Sequence, residues 1–138
     1  MRGVSMVQTP NWNAEKEMEM IETQIKKRRI GPWHVSPICF GTMPISWATM
    51  VEHRERAIAT VHAALDVGVT LLDSANIYAP SWDQTGYGER LIKEALESWN
   101  ASASDKSNII VATKGGIIVT AEGGRRDASY EHLREACI

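Results

Sequence analysis

Asp73, Tyr78 and Lys114 together carry the functional groups of a proton-transfer site. Asp73 directly follows the apolar run 69–72, Lys114 closely follows the run 109–112, and Tyr78 lies in the segment after Asp73. A charged side chain at the end of a buried strand is costly unless a function requires it. A phenol has a pKa of about 10, which a neighbouring lysine cation lowers, and a carboxylate can hold that lysine in place. Such a phenol can protonate a carbonyl oxygen as negative charge develops on it.

Each of these residues also has a simpler interpretation. A single aspartate after a strand is more often a helix cap or a loop anchor. A tyrosine in a loop usually packs, and an isolated lysine usually lies on the surface. The occurrence of all three near successive strand ends favours a functional site over separate structural roles.

Three short apolar runs are typical of buried strands, because they lack the polar alternation of a half-exposed strand. They cover residues 38–40, 69–72 and 109–112. Between them, apolar residues recur at helical spacing over 53–67, where Gly68 is predicted to follow the helix, and over 91–99. This repeated alternation indicates βαβ units, and therefore an α/β fold with a parallel sheet.

The carboxyl ends of parallel strands lie at one rim of the sheet, where α/β proteins place ligands and catalytic groups. Asp73, Lys114 and the pair Gly41-Thr42 each follow one of the three strands. We therefore expect them to collect on that rim, with Tyr78 above it.

The flanking segments contain weaker patterns. Residues 1–25 are predicted to be an N-terminal extension, in which one helix has an apolar face formed by Ala14, Met18, Ile21 and Ile25. Residues 26–138 are predicted to form the main domain. It begins with a short hairpin of 28–30 and 35–38 around a turn at 31–34. A loop containing glycine and arginine leads to a third helix, which Asp127 or Ser129 could cap.

Composition excludes several classes of function. A length of 138 residues suits one domain, and a net charge of −2 gives no support for binding nucleic acid or a membrane. No apolar run approaches the roughly 18 residues of a membrane span, and residues 1–13 do not resemble a signal peptide. Cys39 and Cys137 are expected to be free thiols in a reducing cytoplasm. The four histidines are dispersed, so no metal site is predicted.

Other cofactor motifs are incomplete. Gly86-Tyr87-Gly88 lacks the third glycine of a dinucleotide-binding loop, since Leu91 occupies that position. Lys114 precedes Gly115-Gly116, whereas the lysine of a phosphate-binding P-loop follows its glycines.

The arrangement of these motifs resembles the N-terminal part of the aldo-keto reductase family, from about Arg28 to the end of the chain. The matching segments are Gly41-Thr42-Met43, Leu72-Asp73-Ser74-Ala75-Asn76-Ile77-Tyr78, Tyr87-Gly88-Glu89-Arg90-Leu91, Val111-Ala112-Thr113-Lys114-Gly115-Gly116 and Arg126-Asp127-Ala128-Ser129. The resemblance implies a (β/α)8 TIM barrel that reduces aldehydes or ketones with NADPH, or oxidises the corresponding alcohols.

The resemblance also implies roles for individual residues. Tyr78 would be the general acid, and Lys114 and Asp73 would tune it. Gly41, Thr42 and Met43, together with Asp73, would bind NADP(H) near its nicotinamide. The loop 78–83 is similar to a bacterial branch that includes pyridoxal reductases, which implies a small aromatic or heteroaromatic aldehyde as substrate.

The sequence departs from the family at two points. Ser74 stands where the family usually has threonine, and the family's catalytic histidine would fall beyond Ile138. A whole barrel needs roughly 250 residues, so about the first three βα units are expected here, in a truncated form inactive alone. The alternative is a non-catalytic half-barrel that binds or regulates a partner. In either case an open sheet edge could promote self-association.

Overall fold

The computed structural model describes residues 26–137. The chain begins with a hairpin of β1 (Arg28–Ile30) and β2 (Trp33–Val35), paired antiparallel. The hairpin is confirmed, but its second strand was predicted two residues too late. Ile30 pairs with Trp33, so the turn consists of Gly31 and Pro32 alone. It is therefore shorter than the predicted turn at 31–34. The helix predicted within residues 1–25 lies outside the described residues.

A parallel sheet of three strands follows, in the order β3-β4-β5. Its strands are β3 (Phe40–Gly41), β4 (Leu71–Asp73) and β5 (Ile110–Ala112). They begin one or two residues later than predicted, because the preceding residues have other hydrogen-bond partners. The amide of Thr70 bonds to the Ser36 hydroxyl at 2.9 Å, and the Thr70 hydroxyl accepts from the Ser36 amide at 2.8 Å.

Among residues 26–137, five α-helices connect and flank these strands. They are α1 (Ala48–Val51), α2 (Arg54–Asp66), α3 (Tyr87–Ser98), α4 (Ala103–Ser107) and α5 (Tyr130–Ala136). Short 3-10 helices occupy Met43–Ser46 and Trp82–Gln84. As predicted, Gly68 follows α2, and its φ of +89° is readily adopted only by glycine.

Two helix starts are set by serine caps. Ser129, rather than Asp127, caps α5, since its hydroxyl accepts a hydrogen bond from the His132 amide. Helix α4 was not predicted, because residues 100–107 are polar and show no apolar recurrence at helical spacing. The hydroxyl of Ser102 accepts from the Asp105 amide and begins this short helix.

The core lies between the sheet and helices α2 and α3. Leu72 from the central strand is buried against Val61 of α2 and against Leu91 and Ile92 of α3. Each such side chain stabilises the fold by about 1.5–3 kcal/mol relative to exposure to water. This layer of helices fixes the positions of the strand ends that carry the polar residues.

The prediction of a loop after Gly116 is wrong, because this segment forms a second hairpin. Strands β6 (Ile117–Thr120) and β7 (Gly123–Arg126) pair antiparallel. Gly123, with a φ of +133°, permits the tight turn between them. The β7 sequence Gly-Gly-Arg-Arg lacks the apolar residues from which a strand is recognised.

Residues 26–137 thus form a mixed α/β structure with one parallel sheet and two hairpins, and they do not close into a barrel. Within this described range, no helix is both long and apolar enough to cross a membrane.

Candidate active site

Asp73 and Lys114 meet at the carboxyl ends of two neighbouring strands. Asp73 is the last residue of β4 and pairs with Ala112, so Lys114 follows the paired strand by two residues. The Lys114 ammonium lies 2.8 Å and 2.7 Å from the two carboxylate oxygens of Asp73. It also donates to the Ser74 carbonyl at 2.7 Å. These three acceptors match the three donors of the ammonium group and hold it in one place.

Tyr78 lies above this ion pair. The Lys114 ammonium lies over the Tyr78 ring, 5.0 Å from its centroid, which is the geometry of a cation–π contact. The backbone of Tyr78 is anchored on both sides. Its amide donates to the Ala75 carbonyl at 3.0 Å, and its carbonyl accepts from the Gly88 amide at 2.9 Å. The predicted clustering of Asp73, Lys114 and Tyr78 is therefore confirmed as geometry.

The charges of this cluster favour a protonated lysine. Partial burial is the largest single influence and would lower the pKa of Lys114, but Asp73 and Tyr78 together outweigh it and raise that pKa. The side chains of Lys114 and Asp73 remain 48% and 40% exposed. An ion pair this accessible contributes only about 0–1 kcal/mol to stability, so its value to the fold is small.

Of the residues predicted to bind NADP(H), Gly41 pairs with Asp73 at the ends of β3 and β4, and Met43 follows Gly41 by two residues. Gly41 is exposed, and a Cβ atom added to it would meet nothing within 4 Å. Met43 is 39% exposed. Among residues 26–137, no atom other than those of Gly41 and its two chain neighbours lies within 4 Å of that added Cβ, so the open surface at Gly41 leaves room for a planar cofactor group.

Thr42 lies differently from its neighbours. Its side chain is fully buried, and both its amide and its hydroxyl donate to the Asp73 carbonyl, at 2.9 Å and 3.0 Å. The hydroxyl is therefore engaged in joining the ends of β3 and β4, and it does not point to an open surface.

Sequence reasoning missed two residues that pack beneath this rim. Ser46 is fully buried, and its hydroxyl donates to the Thr42 carbonyl at 2.9 Å. Gly88, in the first turn of α3, lies against both Ser46 and Tyr78. The only signal in the sequence was that Tyr87-Gly88-Glu89 opens a helix, which does not indicate a contact with residues 46 and 78.

Cys39 lies close enough to Asp73 and Lys114 for their charges to change the pKa of its thiol. Burial raises the pKa of the Cys39 thiol, Asp73 raises it further, and Lys114 opposes that effect. The thiol therefore stays protonated near neutral pH and is a poor nucleophile. Cys39 and Cys137 are both free, as predicted. Among residues 26–137, no three His, Cys, Asp or Glu side chains gather as metal ligands would.

Comparison with known sequences gives a consistent family assignment. The sequence model of the aldo/keto reductase family matches residues 37–137. The 6-dehydroglucose reductase of Novosphingobium aromaticivorans is 38% identical over 106 residues, which are 74% of this chain and 31% of that protein. The aldo-keto reductase str7 of Strobilurus tenacellus is 30% identical over 116 residues, which are 80% of this chain and 30% of that protein.

Comparison with solved structures agrees. The holo form of the aldo-keto reductase AKR11C1 from Bacillus halodurans matches with a TM-score of 0.63 and 29% identity, over 82% of this chain and 34% of that one. The chain thus spans about a third of the length of these relatives. The match over residues 37–137 includes the rim that carries Asp73, Tyr78 and Lys114, and the chain belongs to the aldo-keto reductase family.

Proposed function

We propose that the described residues form the proton-donating part of an NADP(H)-dependent carbonyl reductase site. The observation that carries this proposal is the cluster of Asp73, Lys114 and Tyr78 at the ends of two adjacent parallel strands. Family membership supports a carbonyl substrate, and the holo form of the Bacillus halodurans relative supports a bound cofactor. In this proposal β3, β4 and β5 are the first three strands of an eight-stranded barrel.

The proposed mechanism assigns one task to each residue of the cluster. Tyr78 donates its hydroxyl proton to the carbonyl oxygen of the substrate as that oxygen gains negative charge. Lys114 stays protonated beside the ring because its pKa is raised, so its positive charge favours the phenolate that remains. Asp73 holds the ammonium in place through both carboxylate oxygens. Gly41 and Met43 would hold NADPH, whose chemistry when bound would be the supply of a hydride to the carbonyl carbon.

The proposed substrate is a small aldehyde or ketone. An aromatic ring would find a planar apolar partner in Trp82, which lies in the loop after Tyr78 and is 52% exposed. The name of the Novosphingobium relative indicates a carbonyl-bearing sugar as the second class to test. A reducing cytosol is the proposed location, which the two free thiols support.

The test is made in a complete barrel. Residues 37–137 replace the corresponding segment of the Bacillus halodurans reductase, and NADPH oxidation is followed with a panel of pyridoxal-like aldehydes and oxidised sugars. Tyr78→Phe keeps the ring but removes the proton donor, so turnover should fall by about 10²–10⁴-fold. The KM for NADPH should change little, because the phenol contacts the carbonyl rather than the cofactor.

The matched control is Tyr87→Phe in the same chimera. It also removes a phenol hydroxyl, but the Tyr87 hydroxyl accepts a hydrogen bond from the Arg54 guanidinium at 3.2 Å. This bond joins helices α2 and α3. Turnover should survive this change. Normal turnover of Tyr78→Phe would remove Tyr78 from the mechanism. A chimera that binds NADPH without turning over any carbonyl would favour the non-catalytic half-barrel.

A further inference from the structure

Gly88 lies at the closest point of contact between α3 and the two loops of the rim. A Cβ atom added to Gly88 would lie 2.6 Å from the Ser46 hydroxyl, 3.0 Å from the Tyr78 carbonyl oxygen and 3.3 Å from the Tyr78 Cβ. The first distance is shorter than any normal contact of a Cβ atom, so a larger side chain would force its neighbours to move.

The backbone at Gly88 gives no other reason for a glycine. Its φ is not positive, in contrast to that of Gly86 immediately before the helix. Gly88 lies in the first turn of α3, and alanine is the better helix former. The glycine is therefore explained by the space it leaves for Ser46 and Tyr78.

Neither neighbour can move away freely. Ser46 is fully buried and its hydroxyl is bonded to the Thr42 carbonyl, so it has no open space to enter. The atom of Tyr78 that faces Gly88 belongs to the backbone, and it also accepts the Gly88 amide at 2.9 Å. A displacement at this point therefore shifts the Tyr78 main chain, and the ring moves with it.

The same contact joins both halves of the proposed site. On one side Gly88 supports Tyr78, whose ring lies over the Lys114 ammonium. On the other side it supports Ser46, which holds Thr42, and Thr42 in turn holds the Asp73 carbonyl. Gly88 thus sets the separation between the loop that carries Tyr78, the proposed acid, and the loop that follows Gly41.

We propose that Gly88 is a positioning residue, which places the Tyr78 ring over Lys114 through its own amide and through the absence of a side chain. The proposal rests on the function proposed for Tyr78, but it concerns geometry and is testable without catalysis. The measurement is NMR on the 138-residue chain, with the side-chain CH2 groups and the ammonium of Lys114 observed.

In the unaltered chain, the Tyr78 ring should shift the Lys114 CH2 signals next to the ammonium upfield, because the ammonium lies over the ring face. Gly88→Ala should abolish most of this shift. The titration of Lys114 should also move to lower pH, since part of its raised pKa comes from Tyr78. The Asp73 pair remains, so the pKa should not return fully to its ordinary value.

The matched control is Gly124→Ala in β7. Its added Cβ would meet only the Ile118 carbonyl at 3.8 Å, an ordinary contact, so the Lys114 signals should be unchanged. The double variant Gly88→Ala with Ser46→Ala removes the 2.6 Å contact and keeps the 3.0 Å contact. It should recover the upfield shift only in part, and it provides a less crowded variant if Gly88→Ala alone does not fold.

Unchanged Lys114 shifts and titration in folded Gly88→Ala would overturn the proposal. Full recovery in the double variant would also overturn it, because the effect would then pass through Ser46 rather than through Tyr78. These outcomes need neither NADPH nor substrate. A failure of the proposed reductase function therefore leaves them unaffected, and loss of turnover in Tyr78→Phe does not decide them.

Discussion

Lys114 and Asp73 are 41 residues apart in sequence, yet the lysine ammonium bonds to both oxygens of the aspartate carboxylate. The contact arises because Asp73 ends β4 and pairs with Ala112 of β5, which carries the chain to Lys114. The loops after the two strands are also joined, since the Ser74 amide donates to the Ala112 carbonyl and the Asn76 amide to the Lys114 carbonyl. The ion pair is therefore held by the backbone of both strands.

Removing the carboxylate charge should lower the pKa of Lys114. Asp73→Asn keeps the shape of the side chain but removes the charge that favours the ammonium, so the Lys114 titration should move toward its ordinary range. An NMR titration of the lysine signals measures this. Asp66→Asn is the control, because Asp66 accepts from Trp99 elsewhere in the structure. An unchanged Lys114 pKa in Asp73→Asn would contradict the ion pair.

The ion pair also predicts how stability depends on pH. Because the pKa of Lys114 is higher in the folded chain, its contribution is fully present below the unfolded lysine pKa of about 10.4. It is lost as the pH rises through the folded value. The contribution should be at most about 1 kcal/mol, since both side chains are well exposed.

Urea unfolding of the unaltered chain and of Lys114→Met, at neutral pH and above pH ~11, measures this difference. The subtraction cancels the titration of the lysines and tyrosines that do not contact Lys114, which excludes Tyr78. The difference between the free energies of unfolding of the two proteins should become smaller at high pH. A difference that grows would show that the predicted pH dependence has the wrong sign.

Two buried serines should respond in opposite directions to the same substitution. The Ser74 hydroxyl is buried and has no hydrogen-bond partner among the described residues, whereas the Ser46 hydroxyl bonds to the Thr42 carbonyl. Ser74→Ala should raise the free energy of unfolding by about 1 kcal/mol, by removing an unsatisfied group. Ser46→Ala should lower it by about the same amount, since it leaves the Thr42 carbonyl without that donor. Chemical denaturation of both variants tests these two predictions. Changes of the same sign in the free energy of unfolding would contradict them.

The edge of the parallel sheet predicts self-association. Strand β5 has no further neighbour in the sheet formed by residues 26–137, and Val111 on this strand is 41% exposed. Val111→Lys should reduce association, because a charged side chain on an edge strand opposes pairing with another chain. Analytical ultracentrifugation over a range of concentrations measures it.

Val67→Lys is the matched control for this experiment. Val67 is 72% exposed, but it lies at the end of α2 and not on the sheet. This variant should associate as the unaltered chain does. A chain that stays monomeric at every concentration, with a sharp cooperative melt, would show that the sheet edge does not drive association.

The sequence alone was sufficient to predict the parallel strands, helices α2 and α3, and the meeting of Asp73 with Lys114. The reason is that apolar runs, helical spacing and Gly68 are local signals, and the direction of parallel strands then fixes where their ends lie. It could not predict the hairpin of β6 and β7, because Gly-Gly-Arg-Arg carries no strand pattern and is ordered by pairing with Ile117–Thr120.

Only the tertiary structure decided how the rim is supported. Thr42 was predicted to bind the cofactor together with Gly41, Met43 and Asp73, but packing buries it and joins it to the Asp73 carbonyl. The contact of Gly88 with Ser46 and Tyr78 brings together three segments that share no local pattern. Distances of this kind depend on how α3 packs against the sheet, and residue type and spacing contain no measure of that packing.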